Sequence, residues 1–232
     1  MSKGEIYLIP LPIHNLEEFN ISSIPIVNIQ YINTINVFAV ENIRTSRRFL
    51  KKINPSIVID DLHFFEINKR STTQDYNQII SKIIEGNNVG VMSEAGCPGI
   101  ADPGQALCEI AHQNNIKVIP LIGPSSITMA LMASGLNGQQ FSFHGYLPIK
   151  DNELNNKLNK IIKLPGAHIF IETPYRNEKL LQHLIKKLHP EKKLCIATDI
   201  NGKNEKIITR KIADMKDIQI NLKKQPTIFI FE

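Results

Sequence analysis

Two loops rich in glycine and proline are the parts of this sequence best suited to hold a ligand. The first is SEAGCPGIADPG (residues 93–104), which directly follows the apolar run Val89–Met92. The second is IGPSS (residues 122–126), which follows Val118–Leu121. Loops after the carboxyl ends of strands hold the ligands of α/β proteins, and glycine lets the backbone approach a ligand closely. The pattern therefore predicts a small-molecule site built largely from backbone groups.

Polar side chains in these loops each have a structural interpretation beside the functional one. Asp102, Pro103 and Gln105 have the types and spacing of an N-cap, a first-turn proline and a capping-box glutamine, which predicts that Asp102 caps a helix. Ser125 and Ser126 precede a second predicted helix, where their hydroxyls either cap that helix or hold a polar ligand.

Several other chemistries lack their motifs. The sequence has no phosphate-binding Walker loop, no GxGxxG fingerprint, no GxSxG nucleophile elbow and no HExxH zinc motif. Its seven histidines show no paired ligand spacing, and its three cysteines are too far apart for a CxxC zinc site or a disulfide framework. We therefore expect no metal.

The charge is distributed unevenly along the 232 residues, whose net charge is +5. Residues 1–150 carry a net charge of −1 and residues 151–232 a net charge of +6. Five cations also cluster near the front of the chain, at Arg44, Arg47, Arg48, Lys51 and Lys52. Such clusters suit an anionic partner such as RNA, but they also occur as solvated helix faces.

Short apolar runs alternate with helical patterns along the whole chain, which is typical of α/β architecture. Two α/β domains are predicted, residues 1–120 and 121–232, separated by the Pro120–Pro124 segment. No apolar run approaches the ~20 residues of a membrane helix, and the N-terminus lacks a secretory signal, so a cytoplasmic location is expected. The predicted strands are Ile6–Ile9, Val37–Val40, Ile57–Ile59, Val89–Met92, Val118–Leu121, Phe141–Phe143, Ala167–Ile171, Leu194–Thr198, Lys206–Ile208 and Thr227–Phe231.

These loops resemble motifs of the bacterial rRNA small subunit methyltransferase I family. SEAGCPGIADPG is similar to the family's SDAGTPLISDPG, IYLIPLPIHNLEE to LYIVPTPIGNLED, and VENIRTSR to AEDTRHTG. Likewise PLIGPSSITMALMASGL resembles PLPGPSAAIAALSASGL, FSFHGYLPIK resembles FxFxGFLPxK, and IFIETPYR resembles IFYESPHR. Because order and spacing agree over nearly the whole chain, the sequence is identified as a member of this family.

The resemblance implies an S-adenosylmethionine-dependent methyltransferase with the tetrapyrrole methylase fold. In that fold two α/β domains hold the cofactor in a cleft between them, normally in a homodimer. The residues that the resemblance assigns to the cofactor are Pro10, Ala95, Gly96, Cys97, Ile100, Ser125, Ser126, Ile171, Glu172, Ala197 and Thr227.

The acceptor implied by the resemblance is a ribose 2′-hydroxyl of small-subunit rRNA, which must lose its proton. Glu41 and Glu94 are the catalytic carboxylates expected, although Glu41 could instead pair with Arg44; Arg44, Arg47 and Arg48 would bind phosphates. The sequence departs from the family on or near the acceptor side, at His14, Asn42, Ile43, Glu94, Cys97 and Tyr175. Two alternatives therefore stay open: methylation of a small molecule such as a tetrapyrrole, and a non-catalytic RNA-binding relative.

Overall fold

The computed structural model describes residues 2–14, 19, 21, 24–215 and 218–232. The end of the IYLIPLPIHNLEE motif, residues 15–18, lies outside the described residues. The chain divides into two compact units, Met1–Ser125 and Ser126–Glu232. This division falls between Ser125 and Ser126, just after the Pro120–Pro124 segment. None of the helices in the described ranges has the length and hydropathy that a membrane span requires.

Unit 1 is built on a parallel sheet of five strands. Its strand order is β3-β2-β4-β1-β5, and each neighbouring pair runs parallel. The inner strands are buried on both faces, which is why they are continuous apolar runs rather than alternating ones. The strands are β1 (Ile6–Leu8), β2 (Val37–Val40), β3 (His63–Glu66), β4 (Val89–Met92) and β5 (Val118–Pro120).

Helices connect these strands, and apolar residues cluster on both faces of the sheet. One cluster includes Ile79 and Leu107, and the other includes Phe38 and Phe49. Thr72 and Asp75 form a capping box at the start of α3, which satisfies backbone amides that a helix start leaves unpaired. The helices are α1 (Ile26–Ile32), α2 (Ile43–Ile53), α3 (Thr73–Ile84) and α4 (Gln105–Gln113).

The strand predicted at Ile57–Ile59 is wrong. Ile57 lies in a loop, Ile59 begins a 3₁₀ turn, and β3 begins four residues later at His63. Both isoleucines nevertheless pack against the cluster that contains Phe38. An apolar run indicates burial but not backbone conformation, and here the partly buried side chains come from a loop and a 3₁₀ turn.

Unit 2 contains a mixed five-stranded sheet with the order β6-β7-β10-β8-β9. Only β6 and β7 run parallel, while β10 pairs antiparallel with both β7 and β8. Its core includes Phe170, Leu184 and Phe229. The elements are α5 (Ser126–Ser134), β6 (Phe141–Tyr146), α6 (Asp151–Ile161), β7 (Ala167–Glu172), α7 (Asn177–Lys187), β8 (Lys193–Thr198), β9 (Lys206–Lys211) and β10 (Thr227–Phe231).

Candidate functional site

Four loops meet at the carboxyl edge of the unit 1 sheet. Leu11, after β1, and Gly96, after β4, exchange two backbone hydrogen bonds of 2.9 and 3.0 Å. The thiol of Cys97 donates to the carbonyl of Pro124, after β5, at 3.4 Å. The amide of Glu41, after β2, donates to the carbonyl of Met92 at 3.0 Å. The edge that the sequence predicted to bind a ligand is therefore a connected set of loops.

Glycine is required at two places in this set. Gly96 has a φ of +67°, a conformation that residues with a side chain rarely adopt. Gly123 packs directly on the ring of Pro10: a Cβ added to it would lie 2.3 Å from the Pro10 Cβ. A side chain at Gly96 would therefore strain the backbone, and one at Gly123 would force the two loops apart.

The structure brings together most of the cofactor residues that the sequence assigned to unit 1. Pro10 and Gly96 are buried, whereas Ala95 and Ile100 are exposed on the same loop as Cys97. The hydroxyl of Ser93 donates to the carbonyl of Ala95 at 3.1 Å, which fixes the peptide there. Ser125 is the last residue of unit 1, directly after Pro124. Exposed backbone on a fixed loop is suited to binding a small polar ligand.

The two acidic residues that the sequence singled out lie on adjacent loops that a hydrogen bond joins. A carboxylate oxygen of Glu41 accepts from the amide of Glu94 at 3.0 Å. The Glu94 carboxylate in turn accepts from the hydroxyl of Thr45 at 3.2 Å. In the described residues Glu41 makes no ion pair with Arg44. The structural partner of its carboxylate is the Glu94 amide instead.

Asp102 does not cap α4, contrary to the sequence-based prediction. The helix begins at Gln105 with Gly104 as its N-cap, and no side chain caps it. Gly104 has a φ of +131°, and the amide of Gly99 donates to the carbonyl of Pro103 at 3.1 Å. This tight turn leaves Asp102 outside the helix.

The half-buried carboxyl of Asp102 lies within electrostatic reach of the two other acids. Burial, and then the negative charges of Glu41 and Glu94, raise the pKa of Asp102 to about 6. The positive charge of Lys69 opposes this shift. When the pKa of a carboxyl group is raised in the folded state, its ionisation lowers the free energy of unfolding. Asp102 is therefore a residue of this edge that the sequence analysis assigned to the wrong role.

The sequence analysis noted Asn42 only as a departure from the family and missed Thr45, which contacts both Asn42 and Glu94. The Asn42 side chain caps α2 by accepting from the amide of Thr45 at 3.1 Å. Asn is a favoured N-cap residue, and its target amide lies three positions on. That spacing was visible in the sequence and could have placed Thr45 in the first turn of α2, whereas its contact with Glu94 depends on the order of the strands.

Four of the clustered cations form one exposed stripe on α2. Arg44, Arg47, Arg48 and Lys51 are exposed and follow the helical spacing of one face, while the opposite face buries Phe49 and Leu50 among others. Some members have local partners. Arg47 pairs with Asp60 at 3.4 Å and lies over the ring of Phe64 at 5.6 Å, and Lys51 donates to the carbonyl of Pro55 at 3.1 Å.

In unit 2 the predicted cofactor residues lie on the three central strands, at one end of the sheet. Thr227 is in register with Glu172, and Ile228 with both Ile171 and Ala197. Thr227 also accepts from the amide group of Asn177 at 3.0 Å. Four of the five unit 2 residues, Ile171, Glu172, Ala197 and Thr227, are thus neighbours, while Ser126 begins α5.

Glu172 is the charged group of this set, and its side chain is fully buried. Arg176 faces it at 3.0 Å, and Thr173 donates to it through its amide at 2.6 Å. The same guanidinium donates to the carbonyl of Pro148 at 3.4 Å. A buried carboxylate needs such a partner, because an isolated buried charge is costly.

Metal ligands and reactive thiols are not features of the described chain. No three His, Cys, Asp or Glu side chains in the ranges that the structure covers come together as a metal site. Burial raises the pKa of the Cys97 thiol, which keeps it protonated as the donor to Pro124. Its role is to join two loops.

The sequence matches the family described as Tetrapyrrole (Corrin/Porphyrin) Methylases over residues 6–216. The chain belongs to this family. It is 30% identical over 210 residues to the ribosomal RNA small subunit methyltransferase I of Vibrio cholerae, with 90% of this chain and 69% of that protein covered. It is 28% identical over 233 residues to the protein of the same name from Buchnera aphidicola subsp. Schizaphis graminum, with 99% of this chain and 78% of that protein covered.

Solved structures confirm the predicted fold. The uroporphyrin-III C-methyltransferase of Thermus thermophilus, solved in complex with S-adenosyl homocysteine, superimposes with a TM-score of 0.57 at 12% identity. The superposition covers 98% of this chain and 97% of that one. The predicted α/β class, with two sheets of the tetrapyrrole methylase type, is therefore correct.

Proposed function

We propose that this protein is an S-adenosylmethionine-dependent methyltransferase that methylates a ribose 2′-hydroxyl of small-subunit rRNA. The observation that carries the proposal is the connected set of four loops at the carboxyl edge of unit 1, with Gly96 at its centre. Membership of a family of methylases supports the reaction type. The names of the relatives from Vibrio cholerae and Buchnera aphidicola support rRNA as the acceptor.

In unit 1 the cofactor would be held mainly by backbone groups. Ala95, Gly96, Cys97 and Ile100 would line its methionine side. This loop fits the task because Ala95 is exposed while hydrogen bonds to Leu11 and from Ser93 hold the chain around it. The further contacts proposed for unit 1 are Pro10 and Ser125.

In unit 2 the proposed cofactor contacts are Ser126, Ile171, Glu172, Ala197 and Thr227. Glu172 and Thr227 fit this role as preorganised groups, because Arg176 and Asn177 fix their side chains. Bound S-adenosylmethionine supplies a methyl group on a positively charged sulfur. The chain itself then has to orient the acceptor and take up its proton.

Glu41 or Glu94 is the proposed acceptor of the hydroxyl proton. Glu94 is exposed at the loop edge and is oriented by Thr45. Glu41 orients the Glu94 amide, which makes the two carboxylates a unit rather than independent groups. General base catalysis requires the group within hydrogen-bond reach of the hydroxyl, and Glu94 is the more accessible of the two.

Arg44, Arg47 and Arg48 are the proposed phosphate contacts. The exposed stripe on α2 begins beside Glu41 and continues for two helical turns. Phosphate contacts give affinity and register without reading bases. The stripe would therefore bring the ribose-phosphate backbone to the edge that carries the two carboxylates.

We also propose a homodimer, on the family resemblance alone. Light scattering at micromolar concentration tests this proposal, and a monomeric mass contradicts it.

Calorimetry with S-adenosylmethionine and S-adenosyl homocysteine tests the cofactor site. Gly96→Val should abolish binding of both compounds, because the φ of Gly96 strains any side chain and the loop must shift. Gly138→Val is the matched control, since a Cβ there meets no atom within 4 Å; it should bind like the unaltered protein. Failure of the well-folded, unaltered chain to bind either compound would overturn the proposal.

A further inference from the structure

Two proline-containing loops of unit 2 expose an unusual amount of apolar and aromatic surface. The first, residues 147–150, follows β6, and the second, residues 173–176, follows β7. Tyr175 is 84% exposed, Ile149 is 70% exposed and Tyr146, the last residue of β6, is 57% exposed. Large exposed side chains that gather in one place mark interaction sites rather than ordinary surface.

The two loops form one surface. β6 and β7 are parallel neighbours, with Tyr146 in register with Ile171, so both loops leave the same end of the sheet. The guanidinium of Arg176 donates to the carbonyl of Pro148 at 3.4 Å while it pairs with the buried Glu172. This link fixes the second loop against the first.

We propose that Tyr146, Ile149 and Tyr175 form a stacking surface for unpaired bases of the RNA acceptor; the proposal rests on the proposed function. Aromatic side chains on fixed backbone bind unstacked bases of single-stranded RNA. The surface also lies at the end of β7 that carries Ile171 and Glu172, two of the proposed cofactor contacts. Bases that stack here would flank a ribose presented at that edge.

The charge of unit 2 favours a nucleic acid as the occupant. Residues 126–232 carry 17 Lys and Arg against 10 Asp and Glu. Beside the surface, Lys150 pairs with Glu153 at 3.3 Å and Lys179 with Asp151 at 2.9 Å. All four groups are exposed, and exposed pairs contribute little stability. Phosphates can therefore replace these carboxylates at low cost.

Fluorescence anisotropy with labelled decaadenylate and decauridylate tests the surface on the full chain. Tyr175→Ala should weaken decaadenylate binding about fivefold or more, because stacking on one aromatic ring contributes that much. Tyr175→Phe keeps the ring and should bind like the unaltered protein. The loss should be smaller for decauridylate, whose bases stack more weakly. The slope of affinity against salt should not change, since no phosphate contact is lost.

Leu164→Ala is the matched control, an exposed apolar residue on the loop before β7, and it should leave binding unchanged. Affinities of Tyr175→Ala and of the double variant Tyr146→Ala/Tyr175→Ala within twofold of the unaltered protein would overturn the proposal. So would an unaltered chain that binds neither oligonucleotide. A shift from dimer to monomer in sedimentation of Tyr175→Ala would make the surface an interface between copies of the chain, which also overturns it.

The test separates this proposal from the proposed function. Suppose that Tyr175→Ala loses oligonucleotide affinity, but neither the unaltered protein nor the variant transfers methyl groups to rRNA. The stacking surface then stands and the proposed function fails. If Tyr175→Ala keeps both full affinity and methyl transfer to rRNA, the stacking surface fails and the proposed function stands. Circular dichroism of the variant confirms folding, which substitution of a side chain this exposed should not disturb.

Discussion

The carboxylate of Glu41 accepts a hydrogen bond from the backbone amide of Glu94 at 3.0 Å, which joins the loop after β2 to the loop after β4. These strands are neighbours in the sheet, so the bond fastens two adjacent loops at the edge where ligands of α/β proteins bind. It also makes Glu41 a residue with two separable roles. One is to position Glu94, and the other, under the proposed function, is to accept a proton.

Glu41→Gln should separate these roles. The glutamine carbonyl can still accept from the Glu94 amide, so the melting temperature should stay within about 2 °C of the original, while methyl transfer to rRNA should fall if Glu41 takes up the proton. Glu41→Ala removes the acceptor as well and should cost about 1–2 kcal/mol of unfolding free energy, because it leaves the amide without its partner. Thermal melts and single-turnover methyl transfer measure the two effects. Full activity of Glu41→Gln would exclude Glu41 as the base and leave Glu94.

Asp102→Asn should stabilise the protein at neutral pH. The pKa of Asp102 is raised to about 6 in the folded state, above the value of about 3.9 that is usual for an unperturbed aspartate, so between these values the folded state holds a proton that the unfolded state has released. The stability this provides is complete below pH 4 and is lost as the pH rises past 6. Asparagine avoids that loss, so the gain should be about 1 kcal/mol at pH 8, after allowance for partial exposure, and absent at pH 4. Urea unfolding at both pH values measures it, and lower stability of Asp102→Asn at pH 8 would contradict the account.

Replacing Arg47 and Arg48 together by glutamate should reduce methyl transfer to rRNA and flatten the salt dependence of RNA binding. Each phosphate contact that is lost lowers the log–log slope by about 0.7–0.9. Cofactor affinity should be unchanged, because the stripe on α2 points to solvent. The double variant Arg70→Glu/Lys82→Glu makes the same charge change elsewhere in unit 1 and should affect RNA binding much less. Equal effects of the two double variants on RNA binding would show that the stripe is only a solvated helix face.

The lowered pKa of His144 predicts that the protein loses stability in acid. Its ring bonds to that of the buried His168 at 3.0 Å, and burial, followed by the charges of His168 and Lys157, lowers the pKa of His144 to about 4. The unfolded state then binds an extra proton below pH 6.5, so stability is present above that value and is lost as the pH falls towards 4. His144→Gln does not titrate, and its unfolding free energy should fall less between pH 7 and pH 4.5, by about 1 kcal/mol after allowance for the exposed part of the ring. Equal losses in both proteins would show that His144 does not titrate in this way.

Sequence patterns correctly predicted the strands whose apolar residues are buried on both faces of a sheet. The buried runs Val37–Val40 and Val89–Met92 became strands, because continuous apolar residues of this length suit a sheet covered on both faces. Ile57–Ile59 failed, because burial alone does not distinguish a strand from a turn that packs on the same core. The Asp102 cap failed because Gly104 tolerates a positive φ and forms the turn directly before the helix, which begins at Gln105.

The candidate site could be predicted as a set of loops but not as a set of contacts. Chain order places Glu41 and Glu94 after separate strands, and only the order β2-β4 in the sheet makes them neighbours. The same holds for Arg176 and Pro148, which lie 28 residues apart in sequence. Contacts between loops depend on strand order, which local periodicity does not encode. Composition did predict the basic character of unit 2, because charge is a sum over residues and needs no geometry.

Nucleoside mass spectrometry after methyl transfer tests the central claim most directly. The purified protein is incubated with isotope-labelled S-adenosylmethionine and with small ribosomal subunits from a strain that lacks the gene, and the rRNA is digested to nucleosides. The proposed function predicts a labelled 2′-O-methylnucleoside in the digest, which Gly96→Val does not produce and Gly138→Val does. No label in rRNA, or label only on a base, would contradict it. Label that appears instead in an added tetrapyrrole would assign the protein to small-molecule methylation.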